Sequence, residues 1–196
     1  MADDVAVETD LEGYAERLLA AHAQVDAEVG DVVAWLASCR IRRLEADEVV
    51  CREGDVGDEL YVLLEGRIRV EKSDVSGHVR TVGELSAPTM LGQMAMIDRA
   101  RRTATCVASD EVWLAALDRD AYRRLIRSTD AGGTALRRLL LSSLTQQLLS
   151  GNARLGELLQ ESAARSTPGP KGEGLGGALL KASGLLEGWM SSGNRR

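Results

Sequence analysis

The sequence predicts a mainly β domain with flanking helices, an α+β arrangement, and two patterns carry that reading. From Ile41 to about residue 118, short β-branched runs alternate with Gly and Asp turn signals every ten residues or so, the texture of an all-β barrel or sandwich. On either side of this stretch, apolar residues recur at helical spacing. At 196 residues the chain suits one compact domain with appendages. An apolar fraction of 44% is ample for a core, but Phe is absent, so the interior must come mainly from Leu, Val, Ala, Ile and Met.

Residues 10–38 read as helical. DLEGYAERLLAAHAQVDAEV sets Leu11, Tyr14, Leu18 and Leu19 on one face, with Asp10 as N-cap and Glu12 in the first turn. Gly30-Asp31 is expected to break the pattern, and VVAWLASC to form a second short helix. The β stretch follows, with turns expected at Gly54-Asp55, Gly57-Asp58, Glu65-Gly66 and Ser76-Gly77. RTATCVAS and EVWLAALD continue it, and DRDAYRRLIRS reads as a short helix.

A long helix is expected past Gly132-Gly133. Its Leu141, Leu144, Leu148, Gly151, Leu155 and Leu158 alternate spacings of three and four, as a coiled-coil seam does. Leu136 and Leu140 fall beside the seam, where they could cover the β domain. The pattern fits a homodimer seam over 134–162, or a helix packing within one domain. STPGPKGEGLGG (166–177) reads as a flexible linker. Beyond it, an amphipathic segment carries Leu179, Leu180, Leu185, Leu186, Trp189 and Met190. The expected organisation is therefore helices over 1–38, a β domain over 39–130, a dimerisation or packing helix over 131–165, and a linker with a tail peptide over 166–196.

Composition narrows the function classes. With 24 basic and 30 acidic residues the net charge is −6, a poor basis for neutralising nucleic-acid phosphates. MADDVAVETD is the reverse of a signal-peptide n-region, and no run approaches the ~18–20 apolar residues a bilayer span needs. A cytoplasmic protein without membrane attachment is expected, with its three cysteines (Cys39, Cys51, Cys106) reduced and mostly buried. His22 and His78 have no partners at metal or catalytic spacing, so surface or turn placement suffices for both. Ser142, Ser143 and Thr145 lack a base–nucleophile context. The expectation is no enzyme and no metal.

Residues 91–108, LGQMAMIDRARRTATCVA, carry the chemistry. A glycine lets backbone approach a ligand closely, and the turn that follows offers N–H groups to an anion. An arginine aimed at the same place adds a charge-assisted, bidentate hydrogen bond to phosphate oxygens. This stretch and EADEVVCREGDVGDELYVLLEGRIRV together resemble the cyclic-nucleotide-binding domain. That domain is the β-roll of bacterial catabolite activators, kinase regulatory subunits and gated channels. The likeness covers roughly 35–160, in order and spacing. It implies a cyclic-nucleotide-binding β-roll (a double-stranded β-helix, or cupin-like jelly roll) with N-terminal helices and a long C-terminal helix. Its regulatory ligand would be cAMP or cGMP.

By that resemblance Gly92 and Met94 supply backbone contacts, Arg102 binds the cyclic phosphate, and Thr103 adds hydroxyl or backbone contacts. Arg102-Thr103-Ala104-Thr105 fits the family's arginine, two small residues and β run, which leaves Arg101 as its neighbour. Gly83-Glu84-Leu85 spells the family's Gly-Glu-Leu but lies too far upstream. Gln93 stands where the family carries a glutamate that accepts from the ribose 2′-hydroxyl. A bond to a charged group contributes ~1.5–3 kcal/mol against ~1 for a neutral pair, so the amide weakens that contact without removing it. Asn152 falls where relatives place a polar residue near the purine and the dimer seam; the alternative is an exposed helix polar residue.

The chain beyond the long helix is too short and too Pro/Gly-rich for a helix-turn-helix, so no DNA contact is expected. Residues 178–190, with Trp189 as anchor, fit a peptide that docks on a protein partner, or a segment folding back on its own domain. The leading expectation is a sensor of cAMP or cGMP. Its rival is a degenerate roll acting as an adaptor, in which Arg102 pairs with a carboxylate such as Asp98.

Overall fold

The structure, a computed structural model, describes residues 10–165. The linker over 166–177 and the tail segment with Trp189 lie outside the described residues. The elements in order are α1 (Leu11–Ala21), α2 (Val29–Leu36), β1 (Arg40–Leu44), β2 (Val49–Cys51), β3 (Glu59–Glu65), β4 (Arg67–Ser73), β5 (Val79–Ser86), β6 (Thr89–Leu91), α3 (Gln93–Asp98), β7 (Thr105–Ala108), β8 (Val112–Asp118), α4 (Arg119–Arg127) and α5 (Ala131–Arg165). The chain divides into two units after Gln146, within α5.

The strands form two antiparallel four-stranded sheets, ordered β1-β8-β3-β6 and β2-β7-β4-β5. The alternation of side chains along a strand explains why the two differ in composition. In β3, Tyr61 and Leu63 join Ile68, Leu91, Cys106 and Leu114 in a core between the sheets. Leu60, Val62 and Leu64 point the other way, into a second core with Leu18, Trp35, Tyr122, Leu136 and Leu139 of the helices. The first sheet is thus covered on both faces, and ELYVLLE and VWLAALD read as near-continuous apolar runs. In the second sheet, β5 is exposed along most of its length.

Asp10 caps α1 as its residue type predicts, accepting from the Gly13 N–H at 2.8 Å. The helix break falls elsewhere than the sequence pattern places it. The chain leaves helical geometry after Ala21, and α2 runs through Gly30 and Asp31. Asp31 is a helix-start residue, its carboxylate accepting from the Glu28 N–H at 3.3 Å.

His22 lies in the turn between α1 and α2, one of the two placements expected. It is 2% exposed, with Nδ1 2.8 Å from Ser142 Oγ, so it is not a surface residue. Gln24 Nε2 donates to the same hydroxyl at 2.5 Å, giving Ser142 two partners where the sequence offered none. Burial pulls the His22 pKa below its ordinary value.

α5 begins at Ala131 and so includes the glycine pair. A Cβ on Gly133 would lie 2.5 Å from the Leu125 carbonyl, so the glycines serve close helix packing rather than a break. Leu136 and Leu140 are buried in the helix-side core, as their position beside the seam predicts. In the second unit, Leu148, Leu149, Leu155, Leu158 and Leu159 of α5 are exposed.

Candidate functional site

The loop and short helix between β6 and β7 position the site. Gly92 caps α3 with φ +81°, a left-handed conformation that L side chains resist. A Cβ there would meet Arg102 Nη1 at 2.3 Å and the Glu59 carbonyl at 3.2 Å. Gly57, in the EGDVGD turn, faces a similar limit: its Cβ would fall 2.2 Å from Ala95 Cβ and 3.2 Å from Arg102 Nε. Both glycines are therefore set by close approach to α3 and the arginine.

Arg102 is 6% exposed. Its Nη1 donates to the Gly92 carbonyl at 3.2 Å and its Nη2 to the Glu59 carbonyl at 2.7 Å. The guanidinium carbon stands 5.1 Å from the centroid of the Tyr61 ring, a cation–π contact. Among the described residues no carboxylate forms an ion pair with Arg102, and its buried Nε has no hydrogen-bond partner. Asp98 instead accepts from the Ala100 N–H at 2.9 Å, so the pairing that the adaptor reading required is not formed. A buried donor without a partner costs about 1–3 kcal/mol, and a buried cation raises that demand for an anion.

The Arg102 backbone is pinned from both sides. Its N–H donates to the Asp55 carbonyl at 2.8 Å, and its carbonyl accepts from the Gly54 N–H at 2.9 Å. Arg101 is exposed and reaches the Gly54 carbonyl at 2.7 Å, so adjacent arginines face opposite ways from an extended segment. The Tyr61 hydroxyl donates to Glu59 Oε2 at 2.8 Å, and burial followed by that contact pushes its pKa up to about 12.

Of the other residues singled out by sequence, Gln93 opens α3 and is 2% exposed. Met94 is 51% exposed, so its side chain points away from Arg102's buried surroundings. Thr103 is exposed beside Arg102. Asn152 is exposed on α5 in the second unit. Gly92 and Arg102 are thus in direct contact, and Gln93 is buried next to Gly92 in the chain, while Met94 and Thr103 have their side chains in solvent.

Sequence reasoning missed the parts that hold the cradle. Arg119 donates to the carbonyls of Gly57 and, at 3.1 Å, Ala95, and its Nε meets Asp58 at 3.1 Å. It fastens the start of α4 to α3 and to the EGDVGD turn. The Glu59 carbonyl left no trace in the residue pattern, since any residue supplies a carbonyl. A cleft of about 630 Å³ also reaches Arg102, walled by Val56, Asp58, Glu59 and the start of α4. Among the described residues no His/Cys/Asp/Glu group of three or more could hold a metal, and no helix is long and apolar enough to cross a membrane.

Comparison with known proteins bears on the family and the fold. The family model for the cyclic nucleotide-binding domain matches residues 41–129. The chain is 32% identical over 103 residues to the Cyclic AMP receptor protein of Thermus thermophilus, covering 50% of this chain and 48% of that protein. It is 39% identical over 97 residues to the cAMP-dependent protein kinase regulatory subunit of Blastocladiella emersonii, covering 49% of this chain and 23% of that one. The chain therefore spans at most about half the length of these relatives. A solved cyclic nucleotide-binding domain from Methylobacillus flagellatus superposes with a TM-score of 0.63 at 26% identity, covering 82% of this chain and 88% of that one. By sequence match and by fold, residues 41–129 belong to the cyclic nucleotide-binding domain family.

Proposed function

We propose that the chain is a non-enzymatic sensor that binds cAMP or cGMP in the roll, with Arg102 holding the cyclic phosphate. The observation that carries this reading is the buried Arg102 guanidinium, which has no carboxylate partner among the described residues and an Nε without a hydrogen bond. A phosphodiester supplies the missing charge and acceptor together. The names of both curated relatives contain cyclic AMP, which supports the ligand class. Gly92 brings the backbone close, Gln93 takes the ribose hydroxyl through its amide oxygen, and Met94 and Thr103 contribute backbone or hydroxyl contacts. Occupancy is transmitted through α5, whose exposed leucines pair two copies into a dimer with Asn152 near the seam. The segment over 178–190 docks on a protein partner.

Calorimetry of the full chain with cAMP and with cGMP tests this. Saturable heat and a thermal upshift with one of them are expected. Silence at millimolar ligand would sink the sensor and favour the adaptor, a reading that Gln93 supports because it removes the charged ribose acceptor.

A further inference from the structure

Outside the arginine cradle, the most pointed arrangement of reactive groups is a pair of thiols. Cys51 ends β2 and Cys106 lies in β7, and the two are direct partners across the antiparallel ladder. A bulge between Val49 and Cys51 shifts the register so that cysteine faces cysteine. Cys106 is buried in the core between the sheets, and Cys51 packs against the same core. Both side chains therefore enter the roll from the same wall. Directly opposed residues of such a ladder have Cα atoms about 4.5–5.5 Å apart, inside the range of about 4.4–6.8 Å that a disulfide spans. Both thiols are free in this structure.

The pair sits beside the arginine's mooring. Glu53, two residues past Cys51, donates its N–H to Thr105 Oγ1 at 3.0 Å, and Gly54 and Asp55 hold the Arg102 backbone. Cys51–Cys106 is the adjoining rung of that stitch. We propose that Cys51 and Cys106 are a reversible dithiol–disulfide pair, oxidised by a hydroperoxide, which sets the stiffness of the wall that holds Arg102.

The Cys51 thiolate attacks one peroxide oxygen, the O–O bond breaks, hydroxide leaves, and the sulfur becomes a sulfenic acid. The Cys106 sulfur then attacks Cys51, displacing hydroxide, which takes the Cys106 proton and leaves as water. Overall, two thiols and one hydrogen peroxide give one disulfide and two waters. The chemistry favours Cys51 as the attacking sulfur. The neighbouring Cys106 thiol, aided by the positive charge of Arg102, outweighs burial and draws the Cys51 pKa down, whereas burial and then Asp118 push Cys39 up to about 12.

The test uses the reduced full chain, exposed to hydrogen peroxide, alkylated and digested with trypsin without reductant. Cleavage puts Cys51 in peptide 44–52 and Cys106 in peptide 103–119, with Cys39 on a third. The expected result is 44–52 linked to 103–119, two hydrogens lighter than the separate peptides, reversed by dithiothreitol, with Cys39 alkylated. Three alkylated cysteines, a link through Cys39, or sulfinic acid without a link would overturn the proposal. In Cys106→Ser, Cys51 is expected to stop at the sulfenic acid and be captured by dimedone; no adduct there counts against it. The effect on ligand rests on the phosphate-site reading: oxidised and reduced chains should differ several-fold in affinity for whichever of cAMP and cGMP binds, and equal affinity removes the regulatory clause. Should the reduced chain bind neither cAMP nor cGMP, the site reading fails while the peptide map still decides the dithiol.

Discussion

At the scale of single residues, Arg101 and Arg102 share a chemistry and differ in surroundings. Arg102→Ala should weaken cAMP binding by about 1.5–3 kcal/mol, roughly ten- to a hundredfold, while Arg101→Ala changes it little; calorimetry on both variants checks the ranking. Gly92→Ala should lower the folded stability by about 1–3 kcal/mol, because the side chain lands in left-handed backbone against Arg102, and a urea titration reads that loss. Gln93→Glu should tighten binding by restoring a charged ribose acceptor. Gly92 and Arg102 were legible because their surroundings favour those residue types: a Cβ at Gly92 would meet Arg102 in left-handed backbone, and no other side chain matches a guanidinium. The Glu59 carbonyl and the Arg119 clamp were not, since a carbonyl has no residue signature and Arg119 acts through a long-range approach to α3.

At the scale of elements, the α1–α2 turn illustrates how tertiary contact overrides local pattern. Gly30-Asp31 looks like a stop on its own, yet Asp31 caps from inside the helix, and the real break is held by His22 on Ser142 of α5, 120 residues away in sequence. Nothing near His22 in sequence announces a partner that distant. Its pKa is held below the ordinary 6.5 by burial. The unfolded chain therefore takes up a proton below about pH 6.5 that the folded chain refuses. Stability from this group is full above that value and is lost as pH falls through the folded pKa. Denaturation midpoints of the wild type should fall in that window, and His22→Asn, a neutral amide, should remove part of the slope. Equal slopes in the two proteins would show that carboxylates alone set the acid response.

At the scale of the whole molecule, the β texture over 41–118 announced an all-β domain because turn residues and strand runs are local. Which strands share a sheet was not legible: β1 pairs with β8 and β2 with β7, and such pairings are chosen by long-range packing. The helical seam was legible as spacing, but spacing alone does not say what covers it. The exposed Leu148 and Leu155 should pair two copies, each leucine contributing about 1.5–3 kcal/mol when fully buried. Sedimentation should find a dimer for the wild type and a monomer for the Leu148→Glu, Leu155→Glu double variant; a monomeric wild type would refute the pairing.

The two sheets are not equally covered, and this orders the amide protons in time. β3 and β8, buried on both faces, should exchange with deuterium only on global opening, whereas β5, an exposed edge, should exchange by local fraying. Arg102 hangs between these regimes, its side chain on the Glu59 carbonyl at the start of β3 and its backbone three residues before β7, a strand of the sheet that ends at β5. The roll can therefore open its β5 edge locally while its slow-exchanging half keeps the fold.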